Sequence, residues 1–423
     1  MTQSTDLFTA LLKLGSEWRI SNVSFRASDS IVVIEVEHTD WLFTNHRCQK
    51  DGGKLVGYDR VPERVWRHLN VFEYKCEIRC RLPRGKCEEC GSVAVMKAPW
   101  EGMLPGFSYA FESFALLLAR SMSVAEASRV LGENDKRLWK LIDRQVEAAR
   151  KELDMSQVRC VGADEMSRSK GHKYLTVFAD MTTRRVLFAT EGKDASTWTR
   201  FAGDLAEHKG DAAKVGVVSI DMSGAYRLGA KEACPNARVV FDKFHVVKLV
   251  NDGQDAVRRA EQRDGSAHAR EQLKKSRWVF RKNVGNLTDR QWRKLNELDH
   301  ENLVTSKAYQ MRLGLQGIYA EGGTEAEGRL RLEKWCHWVC MTASAEPLLA
   351  PMARVARTLR ECMDGIMAHW ETGVTNAFME GLNSVFSAVK RRARGFRTVK
   401  NLTNMLYFTA SGLRLPVRPL PTH

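Results

Sequence analysis

No run of apolar residues in the sequence approaches the ~20 needed to cross a bilayer as a helix, so a helical membrane protein is excluded. The first residues, MTQSTDLFTALLKLGSEW, place Asp6 early and have no apolar core. A signal peptide is therefore not expected, and the chain reads as soluble and intracellular. Internal repeats and low-complexity tracts are lacking as well, which leaves an ordinary globular chain. Its 10 cysteines are too sparse in 423 residues for a disulfide scaffold; where they cluster, a metal or plain burial is the reading. Negative charge is the last thing in short supply. Against 51 Asp and Glu stand 66 Lys and Arg, a net charge of +15, which points to a polyanionic partner such as nucleic acid. A basic but merely soluble protein has the same balance. At ~100–200 residues per domain, the length implies two to four domains.

Residues 6–14 read as a short helix, and 18–26 and 30–37 as two strands joined by Ala27-Ser28-Asp29-Ser30. A cysteine-bearing region follows, from Cys48 to Cys90. Residues 107–150 read as helical, with a break at Gly132-Glu133-Asn134 between a helix carrying Ala127 and Ser128 and one carrying Leu138, Leu141 and Ile142. That is a helix-turn-helix pattern, with Lys136, Arg137 and Lys140 as its DNA contacts. An ordinary antiparallel helix pair would look the same.

From Val158 the period becomes extended. VRCVGAD, KYLTVFAD and RRVLFAT predict three strands joined by the turns SRSKGH and MTT. A helix at 195–208, the strand VGVVSID, another helix and the strand ARVVFD complete a mixed α/β sheet. Residues 246–365 return to charged helical patterning, with Trp278, Trp292, Trp335 and Trp338. A further amphipathic helix spans 375–394, and the Pro-rich LRLPVRPLPTH reads as a disordered tail.

Asp164 and Asp221 each close a predicted strand, where a rigid platform presents a side chain to ligands. Two such carboxylates on neighbouring strands could hold a divalent ion, since Mg²⁺ takes oxygen ligands and keeps several waters. On the 375–394 helix, at 100° per residue, Phe378, Leu382, Val385, Phe386 and Val389 form an apolar stripe. Glu380 points away from it, on a face with Asn376, Asn383, Ser387, Arg391 and Arg394. A metal site beside a DNA backbone would have that composition, and so would a solvated surface.

GADEMSR (162–168), VVSIDMSGAY (217–226), FDKFHVVKLV (241–250) and NAFMEGLNSVFSAVKRRARGFR (376–397) resemble, in order and over nearly the whole chain, the ISL3 family of bacterial insertion-sequence transposases. WRHLNVFEYKCEIRCRLPRGKCEECG resembles the N-terminal zinc-binding module of that family, and SVAEASRVLGENDKRLWKLI its helix-turn-helix. The resemblance implies an α/β catalytic core of ribonuclease H-like fold with a large helical insertion, preceded by a zinc-ribbon-like module and the helix-turn-helix. It implies an Asp-Asp-Glu triad of Asp164, Asp221 and Glu380, at intervals of 221−164 = 57 and 380−221 = 159 residues. Asp242 and His245 match an Asp-x-x-His motif and take a supporting role beside Asn383, although a structural histidine would fit His245 equally. Tyr226 is read as packing. Two Mg²⁺ (or Mn²⁺) ions would serve phosphoryl transfer. The partners implied are double-stranded DNA and further copies of the chain, in a bacterial, nucleoid-associated cytoplasmic setting. Lys390, Arg391, Arg392, Arg394 and Arg397 are expected to meet phosphates.

Cys87-Glu88-Glu89-Cys90-Gly91 is half of a zinc knuckle. Its partner departs from the family pattern: in Cys48-Gln49-Lys50-Asp51-Gly52, Asp51 stands where a second Cys is expected. Three Cys and Asp51 could bind Zn²⁺, with His46 as an alternative ligand and Cys76 and Cys80 as further candidates. A module that has lost its metal would pack these cysteines as small apolar residues. Cys336 and Cys340 are read as core.

The domain divisions that follow are 1–45, 46–100 (zinc-like), 101–152 (helix-turn-helix), 153–250 and 366–410 (catalytic), 251–365 (helical insertion) and 411–423 (tail). The functions that follow are DNA end binding, cleavage to a 3′-OH and strand transfer. The alternatives are a catalytically inactive DNA-binding regulator and a ribonuclease H-like nuclease without strand transfer.

Overall fold

A computed structural model describes residues 2–41, 43, 46–169, 173–299, 301, 303–375 and 377–412. The tail beyond 412, the hairpin turn at 170–172 and Asn376 lie outside the described residues. The chain groups into two compact units, one of residues up to 153 together with those from 388 onward, the other of residues 154–387.

In the first unit, strands β1 (Trp18–Arg26) and β2 (Ile31–His38) form the expected hairpin. There follow β3 (Leu55–Arg60), β4 (Arg64–Val71), β5 (Tyr74–Cys80), β6 (Pro83–Cys87) and β7 (Val93–Val95). They make two sheets, of order β1-β2-β5-β4 and β3-β6-β7. Because β5 pairs parallel with β2, the β4–β5 hairpin belongs with the N-terminal strands. The expected division at residue 45 therefore cuts through one sheet, and the knuckles sit on the smaller one. Alternation along β5 turns Cys76, Ile78 and Cys80 into a core with Trp18, Ile34 and Trp66. Burial pushes the Cys76 and Cys80 thiols up to about 12, and neither belongs to the group formed by Cys48, Asp51, Cys87 and Cys90.

The expected helix-turn-helix region is three helices, Tyr109–Ser121, Val124–Leu131 and Asp135–Lys151. Side chains fix their starts: Ser108, Ser123 and Asn134 each accept a hydrogen bond from a first-turn N–H. Gly132, at φ 63°, stops the second helix in the left-handed conformation that glycine adopts without strain. The third helix also packs against a C-terminal helix, Val399–Ala410. Lys400 Nζ and Asn404 Nδ2 reach the Asp143 carboxylate at 2.7 and 2.9 Å, and Arg150 lies 4.3 Å over the Tyr407 ring. The chain beyond Ser387 thus groups with the helix-turn-helix region, a correction to the division that ran to 410.

The second unit holds a five-stranded sheet of β8 (Cys160–Ser169), β9 (Lys173–Asp180), β10 (Arg185–Glu191), β11 (Val217–Ile220) and β12 (Arg238–Phe241), in the order β10-β9-β8-β11-β12. The three long strands are antiparallel, while β8, β11 and β12 run parallel. Helix Ser196–Glu207 buries Trp198, Phe201 and Leu205; the Phe201 ring stacks on Phe178 of β9 at 4.4 Å. From Lys243 to Thr372 the structure is helical, as expected. In that stretch Trp335 is buried and donates Nε1–H to the Met311 carbonyl (2.8 Å), whereas Trp278, Trp292 and Trp338 are exposed. Cys336 is buried and Cys340 half-buried. Among the described residues no helix is long and apolar enough to cross a membrane.

Candidate active site and metal centre

Strand register brings the acidic residues together. β11 pairs with β8 at a fixed offset, Val217 with Cys160 through Ser219 with Gly162, which is 57 residues. β12 pairs with β11 from Val217–Arg238 to Ile220–Phe241, an offset of 21. Continuing both offsets past the strand ends sets Asp164, Asp221 (164 + 57) and Asp242 (221 + 21) at one level across three neighbouring parallel strands. Residues at one level point to the same face. Asp164 is not at a strand end, as the sequence led us to expect. It sits inside β8, which runs on against β9 after its parallel partner has stopped, so its side chain still stands at an open sheet edge.

The helix Ala377–Ala393 covers that face. A Cβ on Gly162 would lie 2.4 Å from Met181 Sδ and 3.2 Å from Met379 Cγ, so the missing side chain is what admits Met379 against β8. The buried residues of this helix are Met379, Leu382, Phe386 and Val389, while Val385 is 46% exposed. The real stripe is therefore rotated from the expected one, because Met379 packs inward and Phe378 is only half-buried. Glu380 stays off the stripe. Asn383, one turn on, donates Nδ2–H to Asp164 Oδ2 at 2.6 Å and ties helix to strand.

Burial first, and then the Asp242 charge, raise Asp164 above the usual carboxylate range; Asn383, the Glu165 N–H and His245 oppose the shift. Partial burial, Asp242 and Asp164 raise Glu380, with His245 opposing. Asp242 is itself 5% exposed and caps its helix, accepting a hydrogen bond from the Phe244 N–H (3.0 Å). His245 Nε2 stands 3.7 Å from Asp242 Oδ2. Asp221 Oδ1 accepts from the Ser223 N–H (2.8 Å). Asp242 and His245 thus share a cluster with the triad residues. Glu165 is a carboxylate the sequence reading passed over: burial and the Asp221 charge raise it too. Its signal was the adjacent acids in GADEMSR. Tyr226 is buried and bonds Thr176 Oγ1 through its hydroxyl (2.7 Å), as packing requires.

Among the described residues, no Lys or Arg forms an ion pair with Asp164, Asp221 or Glu380. Mutually repelling carboxylates with no Lys or Arg counter-ion, and only His245 to oppose them, suit a divalent cation. The two groups whose ligand atoms all lie within 4.8 Å of one another are elsewhere: Cys48, Asp51, Cys87 and Cys90, and Glu17, His38 and His46. Among the described residues the triad carboxylates do not form such a group. Replacing Asn383 by Ala removes the bond that orients Asp164. Mg²⁺ affinity at these carboxylates is expected to fall about 10–100-fold, the usual cost of losing a ligand-orienting partner; an unchanged affinity in a Mg²⁺ titration would confine Asn383 to packing.

The four-residue cysteine cluster is the one expected. Its two turns superimpose bond for bond. The Cys48 and Cys87 N–H groups donate to the Gly53 and Ser92 carbonyls (both 2.9 Å), and the Gly52 and Gly91 N–H groups return to the Cys48 and Cys87 carbonyls (2.9 and 3.1 Å). Gly52 and Gly91 have φ of 76° and 69°. Asp51 thus occupies the place in one knuckle that Cys90 has in the other. Cys48 Sγ lies 3.7 Å from Cys90 Sγ, and Cys87 Sγ 3.4 Å from Asp51 Oδ1. The Ser92 hydroxyl and the N–H groups of Lys50 and Asp51 lower the Cys48 thiol, favouring the thiolate a metal needs. His46, the alternative ligand, belongs to the other group.

The expected DNA contacts divide. Lys136 and Lys140 are exposed. Arg137 is engaged internally: it lies 3.8 Å over the Phe107 ring and pairs with Glu133 at 2.9 Å. Arg392 donates to the Arg120 carbonyl (2.9 Å). Arg394 and Arg397 do not continue the Glu380 helix. It ends at Ala393, where the Gly395 N–H bonds the Lys390 carbonyl and the Arg394 N–H the Arg391 carbonyl, with Arg394 at φ 53° and Gly395 at 99°. This is a Schellman ending, which turns the chain off the helix axis.

Comparison with known proteins adds an independent observation. The family model described as Transposase, for the DDE enzymes of the ISL3 group, matches residues 161–406. The transposase for insertion sequence element IS1001 of Bordetella parapertussis is 28% identical over 353 residues, covering 83% of this chain and 85% of that protein. The transposase for insertion sequence element IS1557 of Mycobacterium tuberculosis (strain CDC 1551 / Oshkosh) is 26% identical over 443 residues, 96% of each.

Proposed function

Because the chain belongs to the ISL3 family of transposases, we propose that it cuts and joins DNA at the ends of an insertion sequence, with Asp164, Asp221 and Glu380 as the catalytic carboxylates. The observation that carries this reading is the shared level of Asp164 and Asp221 on adjacent parallel strands, beneath the helix that bears Glu380. The strand order, three antiparallel strands followed by two parallel ones, supports a ribonuclease H-like core. Two Mg²⁺ or Mn²⁺ ions, when bound, supply Lewis acidity on both sides of the scissile phosphate. Asn383 holds Asp164 in orientation, and Asp242 with His245 closes the cluster from the third strand. Water attacks phosphorus and the 3′ oxygen leaves; in joining, that 3′-OH takes the place of water. No side-chain nucleophile is required, in keeping with a buried and hydrogen-bonded Tyr226.

End recognition falls to the helix-turn-helix, through Lys136 and Lys140, and to the cysteine module held by Zn²⁺ on Cys48, Asp51, Cys87 and Cys90. Joining two ends implies a dimer or larger assembly on DNA. The reading is tested by incubating the purified protein and Mg²⁺ with duplexes of the element's own ends and of random sequence, and mapping new 3′-OH termini. Cuts at the ends alone are expected; absence of end-specific cuts would count against it.

Arg391 and Arg397 are exposed and basic beyond the Glu380 segment, and we assign them to phosphates. Phosphate contacts carry no sequence code, so Arg391→Ala with Arg397→Ala should weaken specific and random DNA alike. The slope of log affinity against log salt should become shallower by about 0.9 per contact, or about 1.8 for the pair. An unchanged slope would make these residues ordinary solvated surface.

A further inference from the structure

We propose that Glu17, His38 and His46 form a second divalent-metal site, separate from the cysteine cluster, for a borderline cation such as zinc. The three residues come from distant points in the sequence. Glu17 immediately precedes β1, His38 ends β2, and His46 lies two residues before Cys48. Their ligand atoms all lie within 4.8 Å of one another. His46 Nε2 stands 3.8 Å from Glu17 Oε2. Ligands at ~2.0–2.1 Å on a tetrahedral ion are about 3.3 Å apart, so the His46–Glu17 pair would close by about half an ångström on seating the ion.

A second observation is independent of this spacing. His38 is only 2% exposed, and both of its ring nitrogens are buried with no hydrogen-bond partner among the described residues. His46 Nε2 is buried and unpartnered in the same way. Buried polar nitrogens in folded proteins are almost always paired, and each neutral imidazole offers one lone pair, so one orphan nitrogen from each of two histidines converging on one carboxylate calls for an acceptor of lone pairs. A cation is such an acceptor. The His38 ring is also held in place: it stands edge-on to Trp18 with centroids 4.7 Å apart and lies 6.0 Å from the Phe43 ring, while Arg60 donates to its main-chain carbonyl (3.1 Å). Rigid, pre-oriented ligands are what a tight site needs.

Two imidazoles and a carboxylate suit Zn²⁺, Co²⁺ or Ni²⁺ and leave one position for water. The charges of Glu17 and Asp40 act on the His38 ring, opposed by those of His46 and Arg60. An ion here would fasten His46, two residues before Cys48, to the β1–β2 hairpin.

Metal content of the full chain tests this. The protein is equilibrated with zinc in excess Mg²⁺, which keeps the catalytic carboxylates occupied, then dialysed and its zinc counted. Two ions per chain are expected. Glu17→Gln and His46→Gln, both at half-buried positions, should each retain one, and Cys90→Ser should retain the other. With Co²⁺ in place of zinc, His46→Gln should keep the intense sulfur-to-metal absorption band. Two ions retained by both Glu17→Gln and His46→Gln would overturn the proposal, as would one ion in the wild type that only Cys90→Ser removes. One ion lost from His46→Gln but kept by Cys90→Ser would uphold it and overturn the cysteine site. No ion at all would overturn both.

Discussion

Asp164→Asn, Asp221→Asn and Glu380→Gln are each expected to reduce cleavage of the insertion-sequence ends about a thousandfold or more while leaving end binding intact. Each amide keeps the shape of the acid and removes the anionic oxygen that a hard cation requires. Loss of about 4 kcal/mol of transition-state stabilisation corresponds to roughly a thousandfold. A second readout separates this from misfolding. Asp164 and Glu380 are held above the usual carboxylate range by burial and by neighbouring acids. A raised folded-state value means that ionisation at neutral pH costs stability, so neutral replacements should not lower the melting temperature at pH 7. Mg²⁺ should raise the melting temperature of the wild type more than that of the variants, because it binds the folded site. Asp242→Asn belongs in the same series. Asn caps a helix as well as Asp does, so the cap at Phe244 survives while the charge is lost. A fall in cleavage without a fall in melting temperature would place that charge in the reaction. Full-rate cleavage by any of these variants would remove its residue from the set.

The cysteine module should respond as strongly to its metal. The β3-β6-β7 sheet is small, and a structural zinc in comparable peptides contributes ~10–16 kcal/mol of binding free energy, most of it felt as folding. In Cys90→Ser, residues 48–92 should lose protection from proteolysis and hydrogen exchange. Specific end binding should fall at least about tenfold, while the 154–387 unit keeps its fold. Asp51→Cys makes the sharper test. Because Asp51 sits in one knuckle where Cys90 sits in the other, a cysteine there completes two equivalent halves. The variant should hold zinc about tenfold more tightly in competition with a chelating dye, whereas Asp51→Ala should hold it more weakly. A zinc-free wild type with these residues fully protected would show that the knuckles stand without a metal.

Much of this was legible in the sequence because the signals were local. The β1–β2 hairpin, the strand series from β8 to β12 and the Gly132 break each rest on periodicity and turn residues within a few positions. The ladder between β2 and β5 was not legible, since a parallel pair some forty residues apart leaves no local mark. The division at residue 45 failed for that reason. The rotation of the Glu380 helix depended on Gly162, far away in sequence, leaving room for Met379. Arg137 reads as a DNA contact by composition, but Phe107 and Glu133 already engage it in the fold. Arg394 was carried one residue too far along a helix that a Schellman turn ends. Asp51 was legible as the counterpart of Cys90 because the Gly that follows it mirrors Gly91. His46 was read as an alternative ligand for the cysteine site, whereas it lies with Glu17, just before β1, and His38, at the end of β2.

The offsets of 57 and 21 residues that align Asp164, Asp221 and Asp242 are properties of a ladder, not of chain length. Between Glu191 and Val217 the chain leaves the sheet for a helix and a loop, and what is spliced into the exposed turn after that helix has no way to slide β11 against β8. A peptide tag or a fluorescent reporter placed at Lys209-Gly210, on the surface stretch after helix Ser196–Glu207, should therefore leave the acidic trio in line. Removing a single residue inside β11 would instead turn Asp221 to the opposite side of the sheet. For anyone labelling this protein to watch it at work, that turn is open ground and the four residues of β11 are not.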